Sequence, residues 1–118
     1  MEKIAFDLDQ KEDLILFQTQ SQKLKKAYLN VFQDKTNGLI NDGEDTDHKS
    51  QHANMFALTF GLIPEKDIQN TVKYIEQKNM SCSVYGSQIL LEGLFDYGGA
   101  NHAIGLMAAK TERSWYNM

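Results

Sequence analysis

The stretch Asp47-His48-Lys49-Ser50-Gln51-His52-Ala53-Asn54-Met55-Phe56-Ala57-Leu58-Thr59-Phe60-Gly61-Leu62-Ile63-Pro64 decides the fold. It reads as one helix with a start and a stop. Asp47 or Ser50 serves as N-cap, because a short side-chain oxygen accepts from first-turn amides that have no partner within the helix. Gly61 stands where a left-handed C-terminal residue is wanted, and Pro64 follows where a new helix begins, as its first residue. Ala53, Phe56, Ala57 and Phe60 recur at helical spacing and mark the face expected to be buried. The first turn is unlike the rest: His48, Ser50, Gln51, His52 and Asn54 crowd it with polar groups, where an ordinary surface helix carries Lys and Glu. Such groups suit hydrogen bonding to a neutral polar ligand, or capping.

Upstream, residues 1–8 read as a loose lead-in and residues 9–32 as a long helix. Leu14, Phe17, Leu24, Tyr28 and Val31 recur at steps of three and four, with Gln and Lys between them. Residues 34–43 then hold an Asn-Gly and an Asp-Gly pair, both turn formers, so a short β-hairpin-like loop is expected near residues 36–43, with Leu39 and Ile40 on one rung. The acidic run from Glu44 to Asp47 fits a calcium loop poorly, since the twelfth position counted from Asp34 is Asp45 rather than Glu.

Downstream, Pro64 to Asn79 forms a helix with acids in its first turn and Ile68, Val72 and Ile75 as its apolar stripe. Residues 80–98 form the next, with Gln88, Leu91, Leu94 and Phe95 on one face. Gly86 and Gly93 cost stability inside a helix, which points to a neighbour in close approach. Gly98-Gly99 ends it. Residues 100–110 form a last helix rich in small residues, with Ile104 and Met107 as its bulk. The expectation is an all-α chain of five helices in antiparallel hairpins, residues 1–118 making one unit.

With 118 residues and 42% apolar content the chain can bury a core. The net charge of −4, with no basic cluster beyond Lys23, Lys25 and Lys26 on a helix, offers nucleic acid no electrostatic footprint. No apolar run approaches membrane-spanning length. The N-terminus is too poor in apolar residues for a signal peptide, and the single Cys82 leaves the compartment open.

Several residues are chemically suggestive. His48 and His52 stand four apart, as a zinc pair does on one helical face, but Lys49 replaces the Glu that a zinc hydrolase needs after the first His. No metal or other cofactor is expected. Cys82 reads as a small buried residue; as a nucleophile it would need a base such as His52 brought close by the fold. Trp115 beside Tyr116 is either a stacking platform for the apolar face of a sugar or a core residue. Polar groups thus gather in residues 48–54, 81–88 and 113–117. An antiparallel array can present these at one rim.

These blocks carry a resemblance. Residues 48–64, His-Lys-Ser-Gln-His-Ala-Asn-Met-Phe-Ala-Leu-Thr-Phe-Gly-Leu-Ile-Pro, resemble a block in the catalytic domain of bacterial α-L-rhamnosidases, family 78 of the glycoside hydrolases. Residues 80–94, Met-Ser-Cys-Ser-Val-Tyr-Gly-Ser-Gln-Ile-Leu-Leu-Glu-Gly-Leu, look like the next inner helix of that domain. Residues 112–118, Glu-Arg-Ser-Trp-Tyr-Asn-Met, are similar to the segment after it. The resemblance covers residues 10–118. It implies part of a six-hairpin (α/α)6 toroid and the inverting hydrolysis of terminal α-L-rhamnose, for which one carboxylic acid protonates the leaving oxygen while another carboxylate activates water.

In that family the general acid belongs to an acidic block upstream of this chain, and the general base to a Trp-Glu motif expected soon after residue 118. No residue here is therefore matched to a catalytic position. The chain is expected to be a barrel fragment, inactive alone, with a rhamnosyl sugar as its ligand. The resemblance implies sugar contacts from His48, His52, Asn54, Tyr85, Gln88 and Trp115. The rival reading is a non-enzymatic helical module for oligomerisation or partner binding. Apolar faces left open by absent helices predict a homodimer or higher oligomer.

Overall fold

The computed structural model describes residues 1–117; Met118, the last residue of the third resembling block, lies outside them. The described residues form six helices: α1 (Glu2–Asp7), α2 (Lys11–Phe32), α3 (Gln51–Thr59), α4 (Glu65–Gln77), α5 (Val84–Asp96) and α6 (Ala100–Ala108). The expected all-α class holds. The chain divides into two compact units, Met1–Val31 and Phe32–Met118.

In the first unit the lead-in expected at residues 1–8 is instead helical. Asp9 takes a left-handed conformation, φ 52°. The Asp9 and Gln10 amides then donate to the carbonyls of Phe6 and Ala5, closing α1 before α2 starts. Five apolar residues in eight had hidden a short helix behind the absence of a long stripe. Along α2 no residue is fully buried; Leu14 and Phe17 are half-buried, and Leu24 stands exposed.

The second unit opens with the turn. Among the described residues the strand pairing is a single antiparallel bridge between Gln33 and Ile40, so the hairpin lies earlier than expected, and Leu39 and Ile40 do not face each other across it. Asp34 explains the shift. Its carboxylate accepts from the Thr36 amide (2.8 Å), the Thr36 hydroxyl (2.7 Å) and the Asn37 side chain (2.9 Å), winding the chain one step ahead of Gly38. Asp42 forms no second rung; it reaches forward to His48 and Ser50.

Ser50, not Asp47, caps α3: its hydroxyl accepts from the Ala53 amide at 3.0 Å. Gly61, at φ 66°, ends the helix with paired bonds from Gly61 to the Leu58 carbonyl and from Leu62 to that of Ala57. Asn79 closes α4 in the left-handed region (φ 51°). Pro64 stands one place earlier than expected, as the N-cap of α4.

The buried face of α3 is also rotated from the expected one. Gln51, Asn54, Met55 and Leu58 face inward with Ala57, whereas Phe56 and Phe60 stack on each other at 5.9 Å on the outer side. The run Met55-Phe56-Ala57-Leu58 is apolar all round, so periodicity could not fix its phase. Leu91 and Leu94 of α5 are buried, while Gln88 and Phe95 are exposed. Leu106 rather than Ile104 or Met107 fills the core from α6.

Helices α3 and α5 run parallel. Gly86, near the start of α5, lies against Met55; Gly93, near its end, lies against Leu58 and Thr59. Thr59 Oγ1 also donates to the Ile89 carbonyl at 2.9 Å. Helix α4 returns antiparallel to α3, its end fastened to the start of α3 by one side chain. Gln51 Nε2 donates to the Asn79 carbonyl (2.5 Å) and the Ile75 carbonyl (3.3 Å), and Gln51 Oε1 accepts from the Ser81 amide (3.0 Å). Helix α6 runs back along α5, and the segment after it reaches the start of α5 through Trp115. Two hairpins, α3–α4 and α5–α6, thus stand side by side with α3 and α5 as neighbours.

Candidate functional site

Ser83 caps α5 as Ser50 caps α3, its hydroxyl accepting from the Gly86 amide at 3.2 Å. Because the two helices are parallel, their capped starts lie at one end. His52 and Tyr85 each stand two places after the capping serine, so they hold the same angular position on neighbouring helices. Both are exposed, Tyr85 at 91%. An imidazole and a phenol so placed offer hydrogen bonds to a polar ligand at that end.

His48 does not share a helical face with His52, because it precedes the α3 cap. Its Nδ1 lies 2.5 Å from Asp42 Oδ2. Desolvation alone would raise the Asp42 carboxyl. Hydrogen bonds from Ser50 and His48 outweigh it and hold the group below its ordinary value. The Asp34 carboxyl is held lower still by Thr36, with Lys49 Nζ at 3.0 Å adding to it. Among the described residues no group of three His, Cys, Asp or Glu side chains is placed to hold a metal ion.

Asn54 is fully buried at 0% exposure. Its Oδ1 accepts from the Ile40 amide (2.9 Å), and its Nδ2 donates to the carbonyls of Ile40 (3.0 Å) and Ser50 (2.9 Å). Of the two readings open for Asn54, these surroundings match the core-polar one. The amide anchors the turn, with both Nδ2 hydrogens and one lone pair of Oδ1 engaged.

Gln88 and Trp115 come together in a hollow of about 430 Å3 beside α5. Val84, Leu91, Phe95 and Met107 give it apolar walls, and the carboxylates of Glu92 and Asp96 stand at its edge. Trp115 is 41% exposed there, and its Nε1 donates to Ser87 Oγ at 3.0 Å. Gln88 Nε2 donates to Glu92 Oε1 at 3.0 Å. The sequence reading missed Ser87, Phe95 and Met107 as parts of this hollow; counting from the Ser83 cap would have found the first.

A wider cleft, about 590 Å3, lies between the end of α4, one face of α6 and residues 111–113. Its lining includes Lys78, His102 and Arg113, but none of the six candidate sugar contacts. Cys82 is half-buried; burial raises its thiol above the ordinary value, and Arg113 offsets this in part.

A family model described as the bacterial alpha-L-rhamnosidase 6 hairpin glycosidase domain matches residues 1–118. Comparisons with curated proteins and with solved structures returned no match.

Proposed function

Because the chain belongs to the bacterial alpha-L-rhamnosidase 6 hairpin glycosidase domain family, we propose that it forms part of the sugar-binding wall of such a domain and does not hydrolyse glycosides by itself. A six-hairpin ring needs twelve helices, and the described residues supply six, so the reading treats the chain as a segment of the ring. The observation that carries it is the pairing of His52 with Tyr85, exposed and in matching positions at the common end of parallel helices. His48, beside them in sequence, and Gln88 and Trp115, farther along α5, extend the surface for a rhamnosyl ring.

Inverting hydrolysis asks for a general acid with a raised pKa and a facing base, roughly 6.5–9.5 Å apart. Asp34 and Asp42 are pushed the other way. The test is an L-rhamnose titration followed by NMR, with an aryl rhamnoside assay on the same sample. Saturable shifts in the signals of His52 and Tyr85, weakened in His52→Ala and Tyr85→Ala, with no aryl alcohol released, are the expected result. Turnover that disappears on replacing Asp42, Glu92 or Asp96 overturns the inactive reading, and flat titrations overturn the wall.

One observation favours the rival reading of a non-enzymatic oligomerisation or partner-binding module. The Phe56–Phe60 stack and the hollow beside α5 are both apolar and open.

A further inference from the structure

We propose that Asp42 is a positioning residue: it holds the His48 ring in one tautomer, with the hydrogen on Nδ1, so that Nε2 waits at the start of α3 as an acceptor for a ligand hydroxyl. The proposal rests on the wall reading above and deepens it, since it names what His48 asks of a ligand.

The geometry comes from a closed loop. The Asp42 amide donates to the His48 carbonyl at 2.9 Å, so the chain returns on itself between these two residues. The Asp42 carboxylate then ties two points of the returning strand. Its Oδ1 accepts from the Ser50 amide at 2.8 Å, and its Oδ2 meets His48 Nδ1 at 2.5 Å. The His48 amide donates to Thr46 Oγ1 at 3.1 Å, which steadies the backbone that carries the ring. Ser50 is the cap of α3, so carboxylate, ring and helix start form one unit.

An ionised carboxylate can only accept. Against desolvation, its hydrogen bonds hold the Asp42 carboxyl below the ordinary value, so it is ionised near neutral pH. Oδ2 therefore needs a donor opposite it, and Nδ1 must carry hydrogen. In the neutral ring that leaves the lone pair on Nε2. The His48 side chain is 73% exposed, which leaves the far edge of the ring to a ligand. Among the described residues His48 is the histidine with a carboxylate in ion-pair reach; His52 and His102 have none. His52 can thus offer either nitrogen, whereas His48 offers an acceptor. A hydroxyl satisfies it by donating; an ether or carbonyl oxygen at the same point cannot.

Asp42→Asn separates this role from bracing of the loop. The Ser50 amide can only donate, so it claims the one amide oxygen and leaves the NH2 group facing His48. The ring must then turn a lone pair to Nδ1 and carry its hydrogen on Nε2.

The experiment is a long-range 1H–15N spectrum of the 118-residue chain at about pH 8, above the ordinary histidine range, with and without L-rhamnose. His48 is expected as the Nδ1–H tautomer in the wild type, with Nε2 moving upfield to saturation as sugar is added, and as the Nε2–H tautomer in Asp42→Asn. His48→Asn keeps a donor for Asp42 but has no atom at the Nε2 position. It is expected to fold as the wild type does, checked by circular dichroism, and to bind L-rhamnose roughly three- to ten-fold more weakly. It also keeps the proposal testable should Asp42→Asn loosen the start of α3. A wild-type ring in the Nε2–H form, a tautomer unchanged in Asp42→Asn, or unchanged affinity in His48→Asn overturns the proposal. Sugar that shifts His52 and Tyr85 but not His48 Nε2 also overturns it and leaves the wall standing. A response at His48 Nε2 with His52 and Tyr85 silent does the reverse, and silence at all three sinks both.

Discussion

Asn54 and Ser87 occupy the same place on neighbouring helices, four residues after the serines that cap α3 and α5. Each is fully buried, at 0% and 1% exposure, and each holds a segment from outside its own helix. Asn54 fastens the Ile40 backbone; Ser87 accepts the indole proton of Trp115. Asn54→Leu is expected to cost about 3 kcal/mol, because it leaves the Ile40 amide and carbonyl buried without partners. Urea unfolding measures the loss, and faster hydrogen exchange at the Ile40 amide locates it.

Gly93→Ala sets two effects against each other. The new methyl improves helix propensity by about 1 kcal/mol. It would also sit 2.4 Å from Thr59 Oγ1. Overpacking of this kind costs about 1–3 kcal/mol, so net destabilisation of about 1 kcal/mol is expected. The double variant with Thr59→Ala is expected to recover part of it, and a thermal double-mutant cycle gives the coupling.

Much of this fold was legible before any coordinates. Ser50, Gly61, Asn79 and Gly98 mark helix ends through bonds within a few residues, so their meaning is local. The phase of α3 was not legible, because Met55, Phe56, Ala57 and Leu58 form an apolar run and only the placement of α4 and α5 chooses its inner face. The candidate site suffered likewise. Whether Asn54 is a ligand contact or an anchor depends on Ile40, fourteen residues away, and the setting of Trp115 depends on Ser87, twenty-eight away.

Replacing either cap should cost about as much as a helix N-cap usually does. Ser50→Ala and Ser83→Ala are each expected to lose about 1 kcal/mol. Substitution by Gly should lose only a few tenths, which thermal melts of the four variants will separate.

Acid should loosen the turn before the helices. Asp34 and Asp42 are held below their ordinary value of 3.8, so the stability they add is complete above that pH and is lost as pH falls through their lower folded-state values. Asp34→Asn is expected to flatten the fall in urea midpoint below about pH 4. A slope unchanged by that substitution would count against the assignment.

Cys82, half-buried, should react slowly. Burial raises its pKa while Arg113 lowers it. Iodoacetamide labelling near neutral pH is therefore expected to lag behind a small free thiol, and Arg113→Gln is expected to slow it further.

Gln51 joins three pieces of backbone: two carbonyls at the end of α4 and the Ser81 amide on the way into α5. It acts as a gauge on the length of the connection between the two hairpins. An extra residue between Asn79 and Ser83 would have to bulge away from that amide, because the bond to the Ser81 amide fixes how far the chain travels from the end of α4 to the Ser83 cap. A single amide side chain thus keeps neighbouring hairpins in step.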